Sequence, residues 1–221
     1  VPFKPAYHLP VSLEGVDEND FTIVYGFPGR TDNYITSNEV NDVLTKTNPM
    51  RLQMREASLG VIDAAMRKDE LTKIQYAAKQ SRISNAYKKW IGQSKGLIRH
   101  EAVSKKDSIE RVFQERVNAK PEWSDAYGGV LLDISALDTK TQHHSMSRNF
   151  FIEFFYMGPE VLRFAGGFSE LVELSKNKEV ADEEIDKWVA NKLSKMGYFK
   201  NYDAQVDEDI MKAQINYFIE G

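Results

Sequence analysis

Cysteine is absent from the 221 residues. That excludes a disulfide-held scaffold, a thiol nucleophile and any zinc or iron–sulfur site built on thiolates. It leaves the compartment open, because a domain of this size can bury enough surface to fold without cross-links. Long apolar runs are missing too. The most apolar stretch, Phe150 to Gly158, is interrupted by Glu153, and nothing approaches the ~18 residues of a membrane-spanning helix. Histidine is scarce, with four in the chain. His143 and His144 are adjacent, so on a helix they point about 100° apart. His100-Glu101 has no second His to complete the H-E-x-x-H zinc pattern. No Ser stands in G-x-S-x-G. Gly26-Phe27-Pro28-Gly29-Arg30-Thr31 lacks the Lys and the glycine spacing of a phosphate loop, and reads as a turn leaving a strand. No metal or cofactor is expected.

What is there is ordinary for a folded globular chain. Hydrophobic residues are 42%, charged residues 28%, and mean hydropathy is -0.49. The length allows one domain, or one and a fraction. Net charge is -4, but it is unevenly spread. Residues 1–48 carry -4, residues 49–120 carry +8 and residues 121–221 carry -8. The basic segment could attract an acidic partner. The simpler reading is solvated helix faces, or docking of the basic segment on the acidic one. Position 1 is Val, and Val1-Pro2-Phe3-Lys4 is no secretion signal, so a processed polypeptide or a piece of a longer one is expected.

The first ~35 residues carry strand signals. Val11-Ser12-Leu13 and Phe21-Thr22-Ile23-Val24-Tyr25 are short β-branched or aromatic runs, with the turn-rich link Gly15 to Asp20 between them. Two short strands cannot stand alone in water, so they read as the edge of a larger β structure. Beyond Thr31 the spacing is helical. Ser37 or Asn38 caps a short helix to Lys46. Asn48 caps and Pro49 opens a long helix with Met50, Met54, Ala57, Val61, Ile62, Ala65 and Met66 on one face. Asp69 caps the next, with Leu71, Ile74, Ala77, Ala78 and Ile83 as its stripe, loosened at Gly92 and Gly96. A third runs from Ile98 to Val117. Pro121 opens a fourth that contains Gly128-Gly129. A fifth, from Gln142 to Ala165, is strongly aromatic and kinks at Gly158-Pro159. Helices from Glu179 to Met196 and from Asp207 to Phe218 close the chain. In the last, Asp207, Glu208 and Asp209 suit the helix dipole. The fold class is all-α, a multi-helix bundle with a short β edge at the N-terminus.

The stretch Ser84 to Gly92 stands out. Asn85 falls mid-helix beside Tyr87 and Trp90, where Asn is unfavourable unless its amide has a partner. Either a neighbouring carbonyl satisfies a buried Asn85, or the amide is aimed at a ligand. The acidic run Asp182, Glu183, Glu184 and Asp186 is more simply a helix start than a pair of glycosidase carboxylates.

Several stretches are similar, in order, to one family. Tyr7-His8-Leu9-Pro10-Val11-Ser12-Leu13-Glu14-Gly15-Val16, Asp20-Phe21-Thr22 and Gly26-Phe27-Pro28-Gly29-Arg30-Thr31 resemble the middle of bacterial serine exopeptidases of the dipeptidyl-peptidase 7 and 11 type. The resemblance continues through Met54-Arg55-Glu56, Gln75-Tyr76-Ala77-Ala78-Lys79, Asn85-x-Tyr87-Lys88-x-x-x-Gly92 and Glu160-x-x-Arg163-Phe164-Ala165. It implies a hydrolase that releases dipeptides from the N-termini of oligopeptides, in the periplasm or at the surface of Gram-negative bacteria. It implies a chymotrypsin-like double β-barrel interrupted by a helical domain that caps the cleft. On that reading residues 1–35 are exit strands and a turn from the barrel, and residues 36–221 are the helical cap domain. The catalytic His, Asp and Ser then lie outside this chain, so the fragment alone is expected to be inactive. The partners implied are the oligopeptide N-terminus and the barrel, with no nucleic acid and with a homodimer of the whole enzyme allowed. The resemblance places a substrate-binding role on Asn85, whose amide would hold the free α-amino group through a charge-assisted hydrogen bond. That anchor would set cleavage two residues in. Ala86 departs from the aromatic common at its position.

Two rival readings make different predictions. An all-α interaction module using residues 49–120 to bind an acidic protein or nucleic acid predicts affinity that falls steeply with salt. A self-contained hydrolase with an unrecognised Ser–His pair predicts turnover by this chain alone.

Overall fold

The computed structural model describes residues 4–23, 25–26, 32–176, 182–195 and 201–220. The chain divides into two compact units, residues 1–34 and 35–221.

In the first unit every described residue from 4 to 26 is exposed. The link after Gly15 is a turn, as its composition demands. The Asp20 amide donates to the Asp17 carbonyl at 3.2 Å, and the Asp17 amide to Asp20 Oδ2 at 2.8 Å. Asn19 and Gly15 supply the positive φ. The expected β edge does not appear: no strand forms among the described residues. Val11–Leu13 and Phe21–Ile23 have β-prone side chains, but strand propensity becomes a strand only where a neighbour supplies ladder bonds and packing. Val24 and residues 27–31, with all of the Gly-Phe-Pro-Gly turn but Gly26, lie outside the described residues.

The second unit is helical. Its α-helices are α1 (Ser37–Asp42), α2 (Asn48–Lys68), α3 (Glu70–Arg99), α4 (Ala102–Asn118), α5 (Pro121–Tyr127), α6 (Val130–Phe151), α7 (Glu160–Gly166), α8 (Ser169–Lys176), α9 (Asp182–Lys195) and α10 (Ala204–Glu220). Val43–Thr47 and Ile152–Tyr156 are π-helical turns that continue α1 and α6. Thr36, rather than Ser37 or Asn38, caps α1, in a reciprocal capping box with Glu39. Asn48 is not a cap either. It is buried, and its amide donates to Gln93 Oε1 at 3.1 Å and Ser94 Oγ at 3.0 Å, which ties the start of α2 to the end of α3. Asp69 caps α3 as its position predicts, accepting from the Thr72 amide at 2.7 Å.

α3 runs unbroken through Gly92 and Gly96, because helix packing outweighs the ~1 kcal/mol that each Gly costs. It ends at His100, where Glu101 is left-handed with φ 49°. Of its expected stripe only Ile83 is buried, and Ala77 and Ala78 are exposed. Leu71 and Ile74 are 62% and 75% exposed, while Thr72, Tyr76, Ile83 and Ser84 face inward. Gly128-Gly129 separates α5 from α6 instead of lying inside one helix. The residues expected to open a fifth helix at Gln142 simply continue α6.

α2 is the central element. Leu59 and Ile62 pack with Tyr76 and Ile83 of α3 and with Val206 and Ile210 of α10. One face further along, Met50 and Met54 pack with Phe150 and Phe154, and Phe218 stacks on Phe154 with ring centroids 4.6 Å apart. Phe150 and Phe154 of this aromatic run are thus core, bridging α2 and α10, while Phe151 and Tyr156 are exposed.

Candidate functional site

One polar feature crosses this core. Arg55 of α2 and Glu153 are both buried and form a bidentate pair, with Nε to Oε2 at 2.6 Å and Nη2 to Oε1 at 3.1 Å. Glu153 lies in the π-turn, which adds a residue to the helical repeat, and is buried between Ile152 and Phe154 in the sequence. Arg55 and Arg51 lie over the Trp90 ring at 5.0 and 5.1 Å, and Arg51 donates to Asn149 Oδ1 at 2.7 Å. Burial pulls the Arg51 guanidinium below its ordinary range.

After the π-turn the chain bends at Met157-Gly158-Pro159 and opens α7 against α10. Asp207 of α10 accepts from the amides of Glu160 at 2.5 Å and Val161 at 2.9 Å, so a carboxylate of one helix caps another. Gln214 of α10 donates to the Met54 carbonyl at 2.7 Å and to Ser58 Oγ at 2.6 Å.

Between α3 on one side and this bend with α7 on the other lies a cleft of about 320 Å³, whose lining includes Tyr76, Lys79, Arg82, Tyr156, Glu160 and Arg163. Lys79 pairs with Glu160 and sits 4.1 Å from the Tyr76 ring centre. The Tyr76 hydroxyl donates to the Asp203 carbonyl at 3.3 Å, and burial pushes its ionisation well above the ordinary tyrosine range. Lys79 and Glu160 offset each other's charge. Arg82 and Arg163 are exposed, and neither makes an ion pair among the described residues.

Asn85 lies on the solvent face of α3, one turn beyond Arg82. Its side chain is exposed, so the buried, carbonyl-satisfied Asn is ruled out. Its amide has no hydrogen-bond partner among the described residues. His8, His100, His143 and His144 are all exposed. The rings of His143 and His144 tilt together, with centroids 3.8 Å apart, closer than helical spacing alone implies. Among the described residues no three His, Asp or Glu are grouped to hold a metal ion, and no helix is long and apolar enough to cross a membrane.

The peptidase S46 family profile matches residues 1–220. The chain belongs to the peptidase S46 family. It is 36% identical over 214 residues to the Asp/Glu-specific dipeptidyl-peptidase of Flavobacterium psychrophilum, covering 96% of this chain and 30% of that protein. It is 35% identical over 164 residues to the dipeptidyl-peptidase 7 of Porphyromonas endodontalis, covering 74% of this chain and 20% of that one. It is 30% identical over 225 residues to the dipeptidyl-peptidase 7 of Phocaeicola vulgatus, covering 100% and 30%. The chain therefore spans less than a third of the length of these S46 relatives.

Proposed function

We propose that this chain is the helical domain of a serine dipeptidyl-peptidase, covering the active-site cleft of a chymotrypsin-like barrel supplied by the rest of the protein. Asn85 holds the α-amino group of the oligopeptide substrate, and the enzyme works in the periplasm or at the cell surface. The observation that carries this reading is the exposed amide of Asn85 on a regular helix, without a hydrogen-bond partner among the described residues. An amide oxygen free of protein partners is available to accept from an ammonium, and a helix holds it more rigidly than a loop. The first unit adds support. Leu13, Phe21 and Tyr25 are 96%, 90% and 100% exposed, and a run of bare apolar side chains suits residues covered by another part of the same protein.

The test is Asn85→Ala in the full-length enzyme. kcat/KM for a dipeptidyl substrate falls roughly tenfold or more while circular dichroism stays unchanged. The preference for a free over an acetylated amino terminus shrinks with it. An unchanged kcat/KM would sink the assignment. The 221-residue chain alone releases no chromophore from the same substrate, and turnover by it would show a nucleophile within this chain.

A further inference from the structure

We propose that the cleft between α3 and α7 is a carboxylate-binding subsite, with Arg82 and Arg163 as its ligands. The two guanidiniums stand on different walls. Arg82 is on α3, and Arg163 is on α7, the helix fixed by Pro159 and by the Asp207 cap. The other charges lining the cleft are already committed, since Lys79 is paired with Glu160. The unpaired charge facing the cleft is therefore positive. A guanidinium presents its donors as a planar fork that matches a carboxylate in two-point geometry. The exposed Tyr156 on the same lining adds a hydroxyl donor.

The subsite adjoins Asn85. Arg82 and Asn85 are three residues apart on one helix, a rise of ~4.5 Å, and so are surface neighbours. An ammonium acceptor beside a carboxylate donor pair suits a short peptide, whose two charge types lie within a few bonds of each other. That the ligand is a peptide rests on the function proposed above; the cleft and its charges do not. The carboxylate comes from an acidic side chain near the amino end or from a free C-terminus.

The experiment follows the Nε–Hε signals of Arg82 and Arg163 in the labelled 221-residue chain, near physiological salt. Three ligands are titrated: Gly-Glu-Ala-amide, Gly-Ala-Ala with a free C-terminus, and Gly-Ala-Ala-amide. Saturable shifts at both arginines are expected with one or both of the first two and not with the third. A response to the first alone identifies an acidic side chain as the ligand, and to the second alone a terminal carboxylate. Arg82→Gln and, separately, Arg163→Gln weaken the response roughly tenfold, and Arg82→Lys restores part of it. Equal responses to all three peptides, no saturable response, or full binding by Arg82→Gln with an unchanged amide spectrum overturns the subsite. No turnover is read, so a failed peptidase reading leaves this result standing, and a failed subsite leaves the Asn85 test intact.

Discussion

Arg55 and Glu153, 98 residues apart, close a bidentate ion pair at 2.6 and 3.1 Å inside the helical core. Removing two charges from water is costly, and the pair recovers that cost only while both partners are present. Glu153→Gln or Arg55→Met alone strands one charge beside Trp90 and Phe154, and loses about 3–5 kcal/mol. Arg55→Met with Glu153→Leu replaces the pair by apolar atoms and restores most of that loss. Urea unfolding of the two singles and the double decides it. Additive losses would show that the pair does not act as a unit.

Gly158 allows the bend into α7. A Cβ there would stand 2.5 Å from the Phe154 carbonyl oxygen, 3.2 Å from that of Glu153 and closest of all to Gln214 Oε1. The Gln214 amide can turn only by giving up its bonds to Met54 and Ser58, and the carbonyls are backbone. Gly158→Ala therefore destabilises, by about 1–3 kcal/mol as overpacking does. The urea midpoint falls with an unchanged slope. Gly92→Ala is the control. Nothing lies within 4 Å of a Cβ at that position, and removing a mid-helix Gly stabilises by about 0.5–1 kcal/mol.

The sequence makes the helices legible where local chemistry decides them, and fails where a distant residue does. Asp69 caps α3 through a bond within one turn, and periodicity marks Met50, Met54 and Ile62 as buried. The stripe of α3 misleads because Leu71 and Ile74 have the right spacing but lie on the exposed face, while the buried face, with Thr72 and Tyr76, is set by α2 and α10. Asn48 and Asp207 look like a cap and a dipole partner of their own helices. Each instead serves another helix, through bonds spanning 45 residues or more. Of the candidate site, Asn85 is visible as an Asn in a strong helical pattern. The cleft beside it is not, since α3 and α7 meet only once Gly158 has turned the chain. One signal was available: a lone Glu153 in an aromatic run requires a buried cation, and Arg55 lies in the helix opposite.

The Asp207 cap carries a prediction of its own. Two α7 amides donate to one buried carboxylate. Asp207→Ala leaves them unpaired at a helix start and costs about 1–2 kcal/mol. Hydrogen exchange reports where. Amides of α7 exchange faster, those of α2 around Ile62 keep their protection, and the Arg163 wall of the cleft loosens with α7. Uniform acceleration across α2 and α7 would mean that Asp207 supports the core rather than α7.

Asp138 of α6 gives the pH dependence. Its Oδ2 is buried with no hydrogen-bond partner among the described residues, and burial, with the charges of Glu39 and Asp42, raises its pKa above the ordinary 3.8. The unfolded chain loses this proton first. Asp138 therefore contributes no penalty below its unfolded value. The penalty grows as pH rises towards the folded value and is complete above it. Asp138→Asn keeps the shape and removes the charge. The variant melts higher than the parent at about pH 7, and the two converge at about pH 3, where both side chains are neutral. Glu39→Gln in the same background tests the cause. With Asp138 already neutral, the charge of Glu39 has less to repel, so this second substitution raises the pH 7 melting temperature less than it does in the parent. Equal gains in both backgrounds would show that Glu39 and Asp138 do not share the repulsion.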